Sequence, residues 1–450
     1  MSPTHRSFVS LCAATALFAA CSSDTAITPE PSNVGRALKI STRPDSLFYG
    51  RATTLSIQDS ADMTGVPVTR TWSSSDTSVL VVDSAGNVLA VGVGAATISV
   101  KRTGASDTVR INAVLMRADG GVPMASGGHW SGGLRICAVA VNRGVYCRRA
   151  ASAADTAPLF VRALGAAGMQ FTDVKTSEDA ECALSTAGAI YCWGRNDHYL
   201  MATRATLAMD SGPVAVKTAL RFSSFTHGGH SQTCGISIAD SLTYCWGHND
   251  SYQLGHDTNG LDDSIPKPVV GVGKTLSVST HNATSCTIAL ANSAYCSGAY
   301  GVRHHTVLVG PSETKSMLPV QTPERFRTLS HGDLFLCALA MDNAAVCWGS
   351  NTLGSLGNGS ERDEYLYEPR RIVGSLSFAK VEAFYRTHAC GLTVGGDLYC
   401  WGAFPPAAIS TRLGAKAYAP VHVAKGVKFT DVFGSGRLCG ITTDGRALCW

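Results

Sequence analysis

The sequence predicts an all-β protein in which a small β-sandwich is followed by a closed ring of seven β-hairpin repeats. Two observations lead to this prediction. Short runs of β-branched residues alternate with turn clusters in the first part of the chain, and cysteines then recur in pairs at intervals near 50 residues. Glycine contributes 46 of the 450 residues and charged residues only 16%, which is typical of many turns joining short strands.

The charge balance limits the classes of molecule that this protein is expected to bind. The chain has 37 Lys and Arg against 33 Asp and Glu, a formal net charge of +4. Such a small excess excludes a strongly basic protein that binds nucleic acid through its phosphates. Hydrophobic residues make up 45% of the chain, which is enough to build a core and is evidence against global disorder. We therefore expect a folded protein that does not bind nucleic acid.

The N-terminus has the pattern of an export signal. Residues 1–20 combine Arg6, an apolar run over 8–20 and small residues at the end of that run. The run is too short for a membrane helix, which needs about 20 residues. We therefore predict a signal peptide over residues 1–20 and a location outside the cytoplasm.

The end of this signal, Leu17-Phe18-Ala19-Ala20-Cys21, resembles the lipobox of bacterial lipoproteins. The resemblance implies that Cys21 is acylated and anchors the chain in a lipid bilayer, at the bacterial outer membrane or cell surface. Residues 21–36 then form a lipidated polar tether. The alternative is cleavage by an ordinary signal peptidase, with Cys21 incidental.

Residues 37–115 are predicted to form the first domain, because short β-branched runs recur there at about ten-residue spacing. The segment with Trp72, the turn Asp83-Ser84-Ala85-Gly86 and the strand Gly94-Ala95-Ala96-Thr97-Ile98 resembles the group 2 bacterial Ig-like domain. The resemblance implies an N-terminal Ig-like β-sandwich. We expect it to act as a spacer, and an adhesive role is the alternative.

The remaining cysteines define seven repeats. Once Cys12 and Cys21 are set aside, 14 cysteines fall into pairs with nine intervening residues, or ten in the third pair. We number the repeats from first to seventh by these pairs: Cys137 with Cys147, Cys182 with Cys192, Cys234 with Cys245, Cys286 with Cys296, Cys337 with Cys347, Cys390 with Cys400, and Cys439 with Cys449.

Each pair is predicted to be a disulfide across a β-hairpin. Two apolar strands flank a turn in every repeat, so folding the hairpin about its middle places the two sulfurs opposite each other. The additional residue of the third repeat falls in the turn Ala239-Asp240-Ser241. Metal binding is the alternative, but zinc sites prefer closer cysteine spacing and four converging ligands. We predict seven disulfides, no metal site and no cofactor.

The sequence that follows most hairpins resembles the repeat of the regulator of chromosome condensation family. Examples are Trp246-Gly247-His248-Asn249 up to Leu254-Gly255, and Trp348-Gly349-Ser350-Asn351 up to Leu356-Gly357. The resemblance implies a seven-bladed β-propeller over residues 120–450. Arg148 and Ser297 stand where other repeats carry Trp. Family functions range from nucleotide exchange on a small GTPase to photoreception and β-lactamase inhibition, and the fold does not choose among them. The repeated Trp residues are interpreted as packing rather than a light-sensing cluster.

Closure of the ring needs one more strand than the repeats supply. Seven four-stranded blades require 28 strands, and the repeat region provides 27. We predict that the junction from Ile111 to Met116 adds the missing strand, because an open sheet edge promotes aggregation. The alternative is a chain truncated at Trp450 with a short seventh blade.

Candidate binding residues lie in the loops just before each first cysteine, which repeat symmetry places on one face. A rim of mixed charge and aromatic residues is typical of a surface that binds a protein or glycan. The alternative is that these side chains bond to loops of neighbouring blades. The candidates are Trp130, Arg135, Glu178, His230, His281, His331, Arg386, His388 and Arg437.

The function predicted from the sequence is binding. We expect an exported, membrane-anchored scaffold whose propeller face recognises a protein or glycan at the cell surface. The alternative is a lyase or hydrolase acting on an extracellular polysaccharide, with His230 or His331 and Glu178 at the propeller mouth. No catalytic motif such as Gly-x-Ser-x-Gly or His-Glu-x-x-His is present, so no catalytic residue is predicted.

Overall fold

The structure is a computed structural model of an all-β chain. The predicted signal peptide (1–20), the tether (21–36) with Cys21, and Trp450 lie outside the described residues. Within the described part, Thr352–Gly354 forms a 3-10 turn, and no helix there is long and apolar enough to cross a bilayer. The described residues are 38–48, 52–60, 68–91, 93–114, 116–117, 124–127, 129–131, 135–149, 161–162, 168–177, 180–196, 198–202, 213–229, 232–281, 283–298, 316–384, 387–403, 416–434 and 438–449.

The first nine strands surround one apolar core. These strands are β1 (Leu38–Ile40), β2 (Ser46–Phe48), β3 (Ala52–Thr54), β4 (Ile57–Asp59), β5 (Thr71–Ser74), β6 (Leu80–Val82), β7 (Asn87–Ala90), β8 (Gly94–Arg102) and β9 (Ala105–Val114). They form a four-stranded sheet β2-β9-β8-β5, a three-stranded sheet β3-β7-β6 and the pair β1-β4. Ile40, Leu80, Val88, Ile98 and Ile111 are among the buried residues of the core, and Trp72 packs against it.

The repeat region contributes all the remaining strands. They are β10 (Met116–Arg117), β11 (Met124–Gly127), β12 (His129–Ser131), β13 (Arg135–Ala140), β14 (Val145–Arg149), β15 (Val161–Arg162), β16 (Phe171–Ser177), β17 (Ala180–Ser185), β18 (Ile190–Gly194), β19 (Val214–Ala215), β20 (Phe222–His227), β21 (Gln232–Ser237), β22 (Thr243–Gly247), β23 (Asp263–Pro268), β24 (Thr275–His281), β25 (Thr284–Ala289), β26 (Ala294–Gly298), β27 (Leu318–Pro319), β28 (Phe326–His331), β29 (Phe335–Ala340), β30 (Ala345–Ser350), β31 (Tyr365–Arg371), β32 (Phe378–Phe384), β33 (His388–Thr393), β34 (Leu398–Gly402), β35 (Ala417–Val423), β36 (Phe429–Gly434), β37 (Leu438–Thr442) and β38 (Ala447–Cys449).

Each cysteine hairpin lies in the middle of a sheet, between an inner strand that precedes it and an outer strand. Five repeats form separate four-stranded sheets: β11-β13-β14-β15, β20 to β23, β24 to β27, β28 to β31 and β32 to β35. The second and seventh repeats are joined in one nine-stranded sheet, because β12 pairs in parallel with both β16 and β36. Consecutive repeats are in contact, and β11 of the first repeat contacts β36 of the seventh.

The two cysteines of every pair face each other directly in the hairpin register, as the spacing predicts. Cys182 lies opposite Cys192 with a Cα–Cα distance of 4.1 Å, and all seven pairs are at disulfide distance. In the third repeat the additional residue lies in the turn, where Ser241 takes a φ of 63° and Asp240 Oδ1 accepts a bond from the Leu242 amide at 3.0 Å. The register of Cys234 and Cys245 is therefore preserved.

The tryptophan after the second cysteine packs against the preceding repeat. Trp246 is fully buried, and its Nε1 donates to the Leu200 carbonyl of the second repeat at 2.7 Å. Trp401 makes the same bond to Ser355 of the fifth repeat at 3.0 Å. Ser297, which replaces Trp in the fourth repeat, donates its hydroxyl to the Gln253 carbonyl at 3.2 Å. Trp246 and Trp401 therefore hold neighbouring repeats together, as the packing interpretation predicts.

The glycine of the Trp-Gly pair allows the hairpin to approach the loop before it. Gly402 has a φ of 93°, and a Cβ there would lie 2.1 Å from the Thr387 carbonyl oxygen. Gly298 is equivalent, with a φ of 107° and a Cβ position 1.9 Å from the Ala283 oxygen. Any side chain at this position would push the loop away from the hairpin, so the motif requires glycine.

Gly402→Ala is expected to destabilise the protein by at least about 3 kcal/mol, since backbone strain and a backbone clash act together. Gly374→Ala is the matched control. Gly374 has a similar φ of 99°, but nothing lies within 4 Å of its Cβ position, so we expect a loss of about 1–2 kcal/mol. Urea unfolding of the full chain measures both. Equal losses in the two variants would contradict the close-approach argument.

The segment after the last sandwich strand completes the final repeat sheet. Ile111 lies in β9 of the sandwich, whereas β10 pairs antiparallel with β38, Met116 opposite Cys449 and Arg117 opposite Leu448. The predicted closing strand is therefore confirmed at Met116 but not at Ile111. β10 also precedes residue 120, where the sequence placed the start of the repeat region.

Replacing both Met116 and Arg117 with proline should lower the melting temperature of the chain, because proline cannot donate to the β10–β38 ladder. The double alanine variant keeps both amides and is the control. We expect a shift of several degrees for the proline variant and little for alanine, measured by scanning calorimetry. An unchanged melting temperature in the proline variant would show that β10 does not stabilise the seventh repeat.

Candidate functional site

The repeat region has two ends with different surfaces. In the fifth repeat, residues 332–334 join β28 to β29 at one end, and 341–344 join β29 to β30 at the other. The loops that begin at the Trp-Gly pair, called the Trp-Gly loops below, start where the second hairpin strand ends. They therefore lie at the same end of the sheet as the connection between the inner strand and the hairpin. We call this end the loop face and the end with the cysteine-hairpin turns the hairpin face.

The sequence analysis placed all nine candidate binding residues in the loops just before the first cysteines. Glu178, His230, Arg386 and Arg437 lie outside the described residues. Trp130 is in β12 and Arg135 begins β13. Their role in binding stays a prediction.

The three described histidines of this set are inside the protein. His281, His331 and His388 are each 3% exposed, in or next to the inner strands. His331 Nδ1 lies 2.9 Å from Ser279 Oγ of the preceding repeat. His227 makes an equivalent bond from Nε2 to Ser177 Oγ, at 2.8 Å. His227 and His331 thus bond to neighbouring repeats, which is the alternative that the sequence left open.

A chain of polar contacts links the inner strands of the fifth, sixth and seventh repeats. Ser330 Oγ donates to Glu382 Oε2 at 2.7 Å. Lys380 Nζ lies 3.0 Å from Glu382 Oε1 and also donates to Asp431 Oδ1. Burial alone would lower the pKa of Lys380, but Asp431 and Glu382 outweigh it and raise the pKa above its usual value. The ammonium therefore stays charged and joins two repeats.

Two of the buried histidines are held neutral. Burial lowers the pKa of His227 and of His388 to about 4. Both take up a proton near pH 6.5 once unfolded, so the unfolded chain binds more protons between about pH 4 and 6.5. The contribution of each neutral histidine to the free energy of unfolding is therefore fully present above pH 6.5. It falls as the pH drops through this window, by up to about 3 kcal/mol for each histidine.

His388→Phe is expected to reduce this acid sensitivity. The imidazole stacks on Phe384 with ring centroids 5.3 Å apart, and neither ring nitrogen has a hydrogen-bond partner among the described residues, so phenylalanine suits the site. The loss of melting temperature from pH 7 to pH 4 should be smaller by several degrees than in the parent chain. The same acid-induced loss in both proteins would contradict a neutral His388.

A cluster of three possible metal ligands lies on the loop face, where the sequence predicted no metal site. His198 belongs to the Trp-Gly loop of the second repeat, and His248 follows Gly247 of the third. Asp262, just before β23, places Oδ2 2.8 Å from His198 Nδ1. One ligand atom from each residue lies within 4.8 Å of the other two.

The hairpin face carries exposed aliphatic side chains at one repeated position, which the sequence analysis did not single out. The position is four residues after the first cysteine, where each hairpin turn begins. In the second and seventh repeats it holds Thr186 and Thr443. In the other five repeats it holds Val141 (62% exposed), Ile238 (58%), Leu290 (56%), Met341 (44%) and Val394 (68%).

Basic residues lie beside three of these aliphatic side chains. The amide of Ile238 donates to the Arg221 carbonyl at 2.8 Å, and the amide of Leu290 donates to the Lys274 carbonyl at 3.2 Å. Met341 makes the same bond to the Arg325 carbonyl, at 3.1 Å. Arg221, Lys274 and Arg325 are all exposed. In the third to fifth repeats the hairpin face therefore combines apolar and positively charged groups.

Similar solved structures establish the fold. The crystal structure of human WBSCR16 matches with a TM-score of 0.59 and 13% identity, over 76% of this chain and 88% of that one. Prp20, the yeast RCC1 protein, matches in its complex with Kap60 with a TM-score of 0.56 and 14% identity, over 72% and 79%. Prp20p from Saccharomyces cerevisiae also matches in a structure reported with its binding to Gsp1p and histones: TM-score 0.55, 16% identity, 71% and 80% coverage.

These comparisons show that the repeat region has a β-propeller fold similar to that of the RCC1-like proteins. No family model matches the chain. At these identities the likeness concerns the fold, and function has to be argued from the surface.

Proposed function

We propose that the chain is an exported, membrane-anchored binding protein. In this proposal an Ig-like sandwich carries a seven-bladed propeller, and the hairpin face of the propeller recognises a partner protein at the cell surface. The exposed aliphatic position repeated on the hairpin face is the observation that carries the proposal.

The architecture of the proposal draws on both the sequence and the sheets. Seven cysteine hairpins, each between an inner and an outer strand, support seven blades, with β10 as the outer strand of the last. The core around Ile98 with Trp72 packed against it supports the Ig-like sandwich. The signal-like residues 1–20 and the seven disulfides support export, since disulfides persist in oxidising compartments. Acylation of Cys21 would supply the anchor.

The chemistry of the hairpin face selects a protein over a glycan. Ile238, Leu290 and Met341 expose aliphatic surface that gains about 25 cal/mol for each Å² buried against an apolar partner. Aliphatic groups cannot pair with sugar hydroxyls. The adjacent Arg221, Lys274 and Arg325 favour acidic groups around that apolar contact. We therefore infer a partner surface with an apolar centre and acidic surroundings.

One similar propeller offers precedent, since Prp20 is seen bound to Kap60 in one structure and is reported to bind Gsp1p and histones in another. A polysaccharide lyase or hydrolase is the weaker candidate. His331, one of its proposed catalytic groups, is 3% exposed and bonded to Ser279.

The test compares two triple variants of the full mature chain in pull-downs from envelope and secreted fractions and on a glycan array. Ile238→Ser, Leu290→Ser and Met341→Ser together remove the aliphatic centre. Leu261→Ser, Ile265→Ser and Tyr367→Ser remove three exposed apolar side chains away from the hairpin turns. We expect the first variant to bind the captured protein at least 10-fold more weakly, with the control unchanged.

Either of two results would contradict the proposal: equal affinity for the two triple variants, or capture of glycans alone. Alanine at Arg221, Lys274 and Arg325 should also reduce the salt dependence of binding, because it removes the charges that attract an acidic partner.

A further inference from the structure

We propose that His198, His248 and Asp262 form a binding site for a divalent transition-metal ion of the zinc type, at the seam between the second and third repeats. The site is independent of the partner-binding proposal, since it lies on the loop face.

The ligand chemistry fits a borderline metal. Two imidazoles and one carboxylate suit zinc and its neighbours, whereas calcium and magnesium prefer ligand sets made of oxygen. The 14 cysteines of the repeats are paired with each other and do not compete for the ion.

The three groups already lie close to coordination distance. The rings of His198 and His248 stack with centroids 4.1 Å apart, and His198 Nδ1 is 2.8 Å from Asp262 Oδ2. Zinc bonds of about 2.1 Å place tetrahedral ligand atoms roughly 3.4 Å apart. Ligand atoms no more than 4.8 Å from each other reach this arrangement by small side-chain rotations.

The site is held in place yet open to solvent. Asp262 Oδ1 accepts a hydrogen bond from the Asn249 amide at 3.0 Å, which leaves Oδ2 directed at His198. Asn249 is fully buried, and its Oδ1 accepts a bond from the Leu254 amide at 2.9 Å. The side chains of His198, His248 and Asp262 are 37%, 14% and 26% exposed, so an ion can enter and keep a water ligand.

A second carboxylate lies beside the cluster. Asp250 Oδ2 is 3.5 Å from His248 Nε2, where it acts as a positioning group for the imidazole. Among the described residues, no other boundary between repeats carries such a cluster. The loop position of His248 holds Arg195 in the second repeat and Ser350 in the fifth. Repeat symmetry therefore does not explain the pair of histidines.

The test is titration calorimetry of the chelator-treated full chain with zinc chloride, without reductant so that the cysteines stay paired. We expect one ion per chain, with affinity reduced at least 10-fold by His198→Ala, His248→Ala or Asp262→Asn. Asp262→Asn keeps the oxygen that accepts the hydrogen bond from the Asn249 amide, so of these three variants it is expected to disturb the fold least. His422→Ala is the matched control, because His422 also lies near a carboxylate, 3.4 Å from Asp397, and stacks on Tyr399, but lies outside the cluster.

Zinc should also raise the melting temperature of the parent chain and of His422→Ala, but not of the variant that lacks both His198 and His248. Circular dichroism without metal verifies that the variants are folded. Either of two results would overturn the proposal: no zinc binding by the parent chain, or binding that Asp262→Asn and the double histidine variant leave unchanged. In that case the three groups form only a hydrogen-bonded pair and a ring stack.

Discussion

The direct opposition of two cysteines in each hairpin is the constraint on which the rest of the repeat region depends. Once Cys390 and Cys400 occupy facing positions, each residue at a fixed offset from them has a fixed place in the sheet. The next residue, Trp401, reaches the loop of the preceding repeat, and the glycine after it allows the close approach to Thr387. Val394, four residues after Cys390, is placed on the hairpin face and cannot turn inward without a change of register.

The boundaries between the inner strands of neighbouring repeats are less regular, because the polar contacts there differ from one part of the ring to another. Thr226 and Thr280 place their hydroxyl oxygens 3.2 Å apart, while the ammonium of Lys380 bonds to Asp431 at another seam. The partners are more than 50 residues apart in sequence. From the second to the seventh repeat these boundaries bury polar groups, each of which must be satisfied by its own neighbour, and this pairing favours a specific order of the repeats.

This difference explains what could be predicted from the sequence. Local spacing predicted the hairpins, the turn insertion at Ser241, the packing of Trp246 and the closing strand at Met116, since each depends on offsets within a repeat or on a strand count. The burial of His331 depends on Ser279 of another repeat, and no offset encodes that contact. The cluster of His198, His248 and Asp262 was missed for the same reason: its members occupy three different loop positions.

The aliphatic surface was missed for a local reason. Val141 and Ile238 continue the β-branched pattern of their strands, so the sequence alone does not separate a buried strand end from an exposed turn residue.

The two faces also differ in the length and regularity of their connecting segments, and this difference bears on binding. The hairpin turns are short and repeat one geometry, with a positive φ of 60° at Asn292 and 69° at Asn343. The loop face uses longer segments that vary from repeat to repeat. Binding energy is reduced by whatever must become ordered on association, so aliphatic groups on short disulfide-braced turns lose less of it than equal groups on long loops. Short, disulfide-braced turns and repeated exposed aliphatic residues therefore coincide on the hairpin face, and that coincidence favours it over the loop face as the docking surface for a protein.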